Sequence, residues 1–389
     1  MGRIDTLHIE NFRAIGSLDY APRQLNIICG KNNTGKSALL DAISLNAKGG
    51  FPHSDDDVPQ YNITFNKKYF IKNRSDKASI ISNINRVTLY SSLEKCRKDY
   101  PEHYRTISEF IIQTVLAEID GTEDYKNQYL NTIFEGLDFI ILLSDHGFRA
   151  MPYNKERQPD LEKKLLNIPG AEKGAMKIGK TSIDHQVFYY IGVISHVSEF
   201  QFTNNSQTEN LQEVYTLSHK EKLSLEQMDD EEIHLLEQFI KEHNLVRNLE
   251  RLTQNNILYR REGEIETIPI SAHGDGFIAL LSLFHYLRKS QDGILLIEEP
   301  ENHLHPEYLA IFIETLFTYA PKLNVQVFMT THSYDLIQTA LDYPEDDAEK
   351  ELLLISKMTS DGETIEKYDY TVEEGRRVTE ELKLDLRGI

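Results

Sequence analysis

Cysteine is scarce in this chain: Cys29 and Cys96 are the only two among 389 residues. Two distant thiols make no disulfide framework, so ordinary reduced cysteines are expected. No apolar run approaches the roughly 20 residues needed to cross a bilayer. The opening Met1-Gly2-Arg3-Ile4-Asp5 lacks the apolar centre of a secretory leader, and a cytoplasmic protein is the expectation. Positive charge is in deficit: 42 Lys and Arg face 62 Asp and Glu, a net charge of −20. Such a chain is not a general binder of nucleic acid, whose phosphates attract Lys and Arg; a basic groove would have to be built against the overall field. Sustained heptads, internal repeats and low-complexity tracts are also missing, which excludes a long coiled coil. What remains is a chain with 40% apolar residues, enough for a sizeable core, and a length that fits one large domain or two lobes.

The most informative stretch is Gly30-Lys31-Asn32-Asn33-Thr34-Gly35-Lys36-Ser37, which fits G-x-x-x-x-G-K-[ST]. Glycines let such a loop curl so that its N–H groups converge on phosphate oxygens. In this pattern Gly30, Asn32, Asn33, Thr34 and Gly35 supply the cradle, Lys36 reaches the β- and γ-phosphates, and Ser37 offers its hydroxyl to Mg²⁺. Gln24-Leu25-Asn26-Ile27-Ile28-Cys29 reads as a buried strand entering the loop. Ala38, Leu39, Leu40, Ala42, Ile43 and Leu45 give the helix leaving it, whose N-terminus adds positive potential. Strand, loop and helix together disfavour a chance Gly-rich turn.

Ahead of this unit, Leu7-His8-Ile9-Glu10-Asn11-Phe12 alternates as a strand, and a second strand follows Arg13. Beyond Gly50 the pattern changes. Asp55, Asp56 and Asp57 lie in a Pro-flanked stretch that reads as a solvated loop more than as a cation site. Residues 61–71 and 79–90 read as strands, 103–119 as a helix, and Phe139–Leu143 and Val187–Ile194 as strands. Residues 150–180 are Lys-rich and broken by Pro and Gly, which favours a surface loop over a nucleic-acid contact. Residues 208–255 read as mostly helical, with Asp229 capping a helix.

The second half of the chain carries three further motifs. Ile294-Leu295-Leu296-Ile297-Glu298-Glu299 is an apolar strand ending in two acids, a Walker B pattern: Glu298 would hold Mg²⁺ and Glu299 would orient and deprotonate an attacking water. Most P-loop proteins place Asp where Glu298 stands. Ile270-Ser271-Ala272-His273-Gly274-Asp275-Gly276 precedes an apolar helix. Val325-Gln326-Val327-Phe328-Met329-Thr330-Thr331-His332-Ser333 is a buried strand with a polar end. His303 and His305 make an H-x-H pair, for which a structural role is preferred to a metal. The end of the chain reads as a strand over Leu352–Lys357, a turn at Ser360-Asp361-Gly362, a returning strand and a helix from about Val372.

With these motifs in order, the chain resembles the OLD-family ATPases and, more broadly, the RecF- and SMC-like group related to ABC transporter heads. Leu7–Phe12, Leu296-Ile297-Glu298-Glu299-Pro300-Glu301 and Leu304-His305-Pro306 carry the likeness. It implies an α/β ABC-type ATPase head, with residues 1–50 and 257–389 as the core and 51–256 as an inserted α/β and helical lobe. It makes Ser271, His273 and Gly274 a degenerate signature that meets the nucleotide of a second subunit, and His332 a switch histidine on the γ-phosphate or attacking water. Gln113, Gln158, Gln186 and Gln201 all remain open as the Q-loop residue. The family's TOPRIM nuclease is not expected after His332, so its nuclease activity is not carried over. Expected, therefore, is an Mg²⁺-dependent ATPase that forms a homodimer around ATP and regulates a separate effector, a nuclease or toxin, in prokaryotic anti-phage defence. Two alternatives stand beside it: a RecF-like clamp that binds DNA with ATP, and an ATP-binding scaffold with little turnover.

Overall fold

The computed structural model describes residues 3–48, 70–72, 75–101, 139–145, 147–152, 180–183, 186–189, 200–203, 214–218, 223, 225, 228–381 and 386–387. The chain opens with a hairpin of β1 (Leu7–Phe12) and β2 (Ile15–Tyr20), then β3 (Leu25–Cys29) runs into the P-loop and α1 (Lys36–Lys48) leaves it. Next come β4 (Lys77–Ser82), β5 (Arg86–Tyr90), α2 (Leu93–Asp99), β6 (Phe139–Ser144), β7 (Gly147–Pro152), β8 (Lys180–Ile183), β9 (Gln186–Tyr189), β10 (Phe200–Thr203) and β11 (Val214–Ser218). The remainder is α3 (Asp230–Glu242), β12 (Leu249–Leu252), β13 (Asn256–Arg261), β14 (Glu264–Pro269), α4 (Asp275–Lys289), β15 (Ile294–Glu298), α5 (Pro306–Lys322), β16 (Gln326–Thr331), α6 (Tyr334–Asp342), α7 (Asp347–Leu352), β17 (Leu353–Ser360), β18 (Ile365–Tyr370) and α8 (Val372–Arg376). The α/β class expected from the sequence is what the structure shows.

A six-stranded sheet in the order β11-β15-β16-β3-β17-β18 holds the P-loop strand near its middle. Its first five strands run parallel and β18 returns antiparallel. Parallel sheets are covered on both faces, so their strands read as continuous apolar runs. Every residue of β3 and β16 is accordingly buried. The pleat then sorts side chains by parity. Ile27, Leu295, Ile297, Val327 and Met329 join a core built with α3, α4, α5 and α6. Ile28, Leu296, Phe328 and Leu354 point the other way, into a core shared with α1 and the second large sheet.

That second sheet is antiparallel between its paired strands, in the order β10-β7-β6-β5-β4-β1-β2. Helix α1 lies between the two sheets and buries Ala38, Leu39, Leu40, Ala42, Ile43, Leu45 and Ala47, which is why it is apolar nearly all round. Two polar side chains set its position. Asn46, fully buried, donates Nδ2 to the carbonyls of Ile80 (3.1 Å) and Asn85 (2.9 Å) and accepts from Ser82 Oγ at 2.6 Å. Buried Asp41 pairs with Arg13, from the β1–β2 turn. Strands from residues 51–256 thus share both sheets with the terminal segments: β4–β7 and β10 extend the sheet of β1 and β2, and β11 forms an edge of the P-loop sheet.

Several local expectations change. Residues 79–90 form part of a hairpin, not one strand. Ser82 Oγ accepts from the amides of Ile84 and Asn85, each at 3.1 Å, and this side-chain turn breaks the run. The helical reading of 208–255 gives way at Val214–Ser218, where Val, Tyr, Thr and Leu suit a strand and pair with Ile294–Glu298, and again at β12. Asp229 does cap α3, in a reciprocal box with Glu232. The Asp55–Asp57 loop, the 103–119 helix, Gln113, Gln158 and most of 61–71 and 150–180 lie outside the described residues, as do 190–194. Gln186 falls in β9 and Gln201 in β10. No described helix is long and apolar enough to cross a membrane.

One buried histidine gives the fold a pH signature. His285 on α4 is 9% exposed; burial first, then the charges of Lys289 and Arg288, push its pKa down to about 4 from 6.5. Between those values the unfolded chain binds a proton that the folded chain does not, so this residue costs stability as pH falls through the window, fully below about 4. Replacing His285 with Gln should therefore flatten the fall of unfolding free energy between pH 6.5 and 4 by about 1–3 kcal/mol, read by urea titration at several pH values.

Candidate functional site

Register brings the motifs together. Cys29 lies opposite Thr331 across β3 and β16, and Glu298 lies opposite Thr330 across β15 and β16. Three adjacent parallel strands therefore end at one edge of the sheet, the edge where open α/β sheets bind ligands. From it emerge the P-loop, the Glu298-Glu299 pair and the Thr331-His332-Ser333 turn.

The P-loop owes its shape to residues that accept positive φ. Gly30 has φ 145°, Gly35 has φ 90° and Asn33 has φ 62°. Space is short as well: a Cβ on Gly30 would stand 2.2 Å from the Met358 carbonyl oxygen of β17, and one on Gly35 would stand 2.5 Å from Ile365 Cδ1. The loop is closed from within. Thr34 Oγ1 donates to the Lys31 carbonyl at 2.8 Å, and Lys36 Nζ donates to the carbonyls of Gly30 (3.0 Å) and Lys31 (2.8 Å). Lys36 is buried while Lys31, Asn32, Asn33 and Ser37 are exposed. Burial lowers the Lys36 pKa, and Glu299 foremost, then Cys29 and Glu301, oppose that by favouring the cation. The first turn of α1 carries no acid, so nothing there neutralises its positive end. Curled backbone, ammonium group and helix end make a site suited to a polyphosphate, with Ser37 exposed on the first turn of α1.

At the end of β15 the partly buried Glu298 is followed by Glu299 in the left-handed region, φ 43° and ψ 57°. A non-glycine residue held there stores strain, and such residues gather at functional sites. The Glu299 amide donates to the Thr330 carbonyl at 3.0 Å, which fixes the turn against β16. Both carboxylate oxygens are engaged: Oε1 stands 3.1 Å from His332 Nε2, and Oε2 accepts from Asn302 Nδ2 at 3.3 Å. A carboxylate aimed by an imidazole and an amide can orient water and take its proton.

Glu301 belongs to the same assembly. Its Oε1 accepts from Thr331 Oγ1 (2.8 Å), the His332 amide (2.5 Å) and the Ser333 amide (3.1 Å). It stands in the stretch that carries the family likeness, but no local pattern gives it a role, because its partners lie 30 to 32 positions away in the chain. The structure thus gathers Lys36, Glu299, Glu301 and His332.

Ser271, His273 and Gly274 form a different cluster, at the start of α4. Ser271 and Gly274 are exposed, and Gly274 is the N-cap of the helix with no side-chain hydrogen bond. The His273 ring packs 4.8 Å from Phe277, its Nε2 is buried without a partner, and burial lowers its pKa, which keeps it neutral near pH 7. It lines a cavity of about 340 Å³ with Arg247, Tyr259, Arg260 and Arg261. His305, from the H-x-H pair, is the N-cap of α5, where its side chain accepts from the Glu307 amide at 3.5 Å.

Comparison with known proteins adds the following. The model of the AAA ATPase domain family matches residues 3–337. The uncharacterized protein MJECL11 of Methanocaldococcus jannaschii is 34% identical over 115 residues, 30% of this chain and 99% of that protein. The uncharacterized protein MJECL10 of the same organism is 51% identical over 51 residues, 12% of this chain and only 23% of that protein. Among solved structures, the SMC head domain from Thermotoga maritima aligns with a TM-score of 0.44 and 11% identity, over 95% of this chain and 99% of that one. An Smc head bound to the C-winged helix domain of ScpA aligns with a TM-score of 0.43 and 12% identity, over 97% of this chain and 100% of that one.

The crowding at Gly30 is measurable. Gly263 also has a positive φ, 92° against 145° at Gly30, yet nothing lies within 4 Å of a Cβ there. Gly263→Ala should cost only the backbone penalty of about 1–2 kcal/mol. Gly30→Ala should cost about 1–3 kcal/mol more in a denaturant titration, because its φ of 145° suits glycine alone and the Met358 carbonyl must also move.

Proposed function

The chain belongs to the AAA ATPase domain family, and from that premise we propose that it binds ATP with Mg²⁺ and hydrolyses it. The observation that carries this reading is the meeting of Lys36, Glu299 and His332 at the end of three parallel strands, with Glu299 and His332 3.1 Å apart. The donor set suits the group. Mg²⁺ keeps much of its water and takes one or two protein ligands plus phosphate oxygens, which Ser37 and Glu298 satisfy. Among the described residues no cluster of three or more His, Cys, Asp or Glu side chains offers a fuller cage. Bound there, the ion would neutralise charge on the β- and γ-phosphates.

In this reading the P-loop amides of Gly30 to Gly35 and the Lys36 ammonium hold the phosphates. Glu299 orients water and accepts its proton, and His332 holds Glu299 in place and acts on the γ-phosphate or the attacking water. Ser271 and Gly274 are exposed at a helix N-terminus beside His273, which suits a contact with nucleotide bound by a second copy of the chain. Hydrolysis then requires a homodimer. The resemblance to OLD-type ATPases supports a further step: the ATP-bound dimer regulates a separately encoded nuclease or toxin in anti-phage defence. The net charge of −20 favours a protein partner over nucleic acid.

Turnover tests the first part. Lys36→Ala should abolish ATP binding. Glu299→Gln should leave binding intact and lower the rate at least about 100-fold, as expected when a positioned base is lost. An unaltered protein that binds ATP without turnover would turn the reading toward a scaffold. For the second part, Glu299→Gln purified from its native host with ATP and Mg²⁺ should bring down a nuclease or toxin. Recovery of DNA alone, with salt-sensitive binding strengthened by ATP, would favour a repair-type clamp instead.

A further inference from the structure

We propose that Glu301 is a positioning residue: it holds the Thr331-His332-Ser333 turn against the end of β15, and so sets His332 on Glu299. The inference deepens the ATPase reading and rests on it for its kinetic consequence, though not for its geometry.

Two segments must agree for the Glu299–His332 contact to exist. One is the one-turn helix Pro300–His303 that follows Glu299; the other is the turn between β16 and α6. β-Sheet pairing stops short of both, with Glu298 opposite Thr330 as its last register pair. Beyond that point the Glu299 amide reaches the Thr330 carbonyl, and then Glu301 takes over. A single oxygen, Oε1, accepts from three consecutive residues of the facing turn: a hydroxyl, then two amides. Without it the His332 amide would be a free N–H at the end of a strand, and the Ser333 amide would keep only Thr331 Oγ1. Thr331, fully buried, also accepts from the Ser333 amide at 3.0 Å, and Ser333 Oγ caps α6 through the Leu336 amide at 3.1 Å. The turn is therefore tied at its start, middle and end, and the middle tie is Glu301. The other carboxylate oxygen, Oε2, is buried with no hydrogen-bond partner. Only one oxygen carries the contact, so an amide side chain can reproduce it.

The order of effects follows. Glu301→Ala frees the His332 amide and the Thr331 hydroxyl, leaves the Ser333 amide only Thr331 Oγ1, and lets the imidazole drift from Glu299. A misplacement of about 1 Å in a reacting group can cost on the order of 100-fold in rate. Glu301→Gln keeps an acceptor oxygen at the same place.

The experiment combines steady-state kinetics with amide hydrogen exchange. Expected for Glu301→Ala is a 10- to 100-fold loss in kcat, with affinity for a non-hydrolysable ATP analogue within threefold of the unaltered protein. The His332 amide should exchange at least tenfold faster. Glu301→Gln should recover most of both losses. Adding Glu301→Ala to His332→Ala should slow the enzyme by no more than threefold beyond His332→Ala alone. The proposal is overturned by an unchanged kcat and exchange rate in Glu301→Ala, by equal loss of analogue binding, by a Gln variant as impaired as the Ala variant, or by independent, multiplying losses in the double variant. If Glu301→Ala does not fold, Glu301→Asp, which draws the oxygen back by one methylene, takes its place: a slowed kcat with unchanged analogue affinity supports the proposal, and full activity refutes it. A protein without ATP turnover would sink the ATPase reading, while the exchange rates would still decide whether Glu301 holds the turn.

Discussion

Parallel register is the constraint on which this molecule depends. β15, β16 and β3 run side by side in one direction and in step, so the residues that follow them are delivered to the same edge. A hydrogen-bonded ladder fixes the strand ends far more tightly than three separate loops could fix one another. The burial of every residue of β3 and β16 makes slippage costly, since a shift of one residue would swap the side chains between two different cores.

The second consequence concerns the P-loop helix. α1 is enclosed by the P-loop sheet on one side and the antiparallel sheet on the other, and Asn46 and Asp41 give it polar anchors. Its N-terminal turn, free of acids, is held in a fixed direction at the sheet edge. Lys36 sits where burial disfavours its charge and Glu299 favours it. An anion introduced at such a point meets a cation that is poorly solvated, an arrangement in which charge-assisted hydrogen bonds are strong. The acidic overall composition and the cationic P-loop are therefore compatible: the field of the whole chain is negative, and the local one is set by a lysine and a helix end.

Strain and close contact mark the same place. Glu299 in the left-handed region, and Gly30 and Gly35 with no room for a Cβ, are positions where the backbone accepts a cost to hold a shape. The interactions that balance that cost are local and identifiable: the Glu299 amide on Thr330, the Asn302 side chain on Glu299, and Glu301 under the next turn. α4 packs against the one-turn helix Pro300–His303, while its N-cap Gly274 is exposed.

Much of this architecture could be read from the residues alone. The P-loop, the apolar strand ending in two glutamates, the strand ending at His332, the Asp229 cap and the closing hairpin after Ser360 each have a short-range signature in spacing, periodicity or turn chemistry. Tertiary structure decided the rest. Val214–Ser218 is a strand because Ile294–Glu298 offers it an edge, whereas its charged surroundings suggested helix. The terminal and middle segments share sheets, which no linear boundary at residues 50 or 257 reveals, because pairing partners are chosen by packing and not by distance along the chain. Glu301 is the sharpest case: part of a family-like run by sequence but without a role there, it gains its meaning from three donors 30 to 32 residues away. Sequence by itself determined which groups this protein brings to its chemistry. Only the folded sheet, by setting strands in register, decided which of them touch.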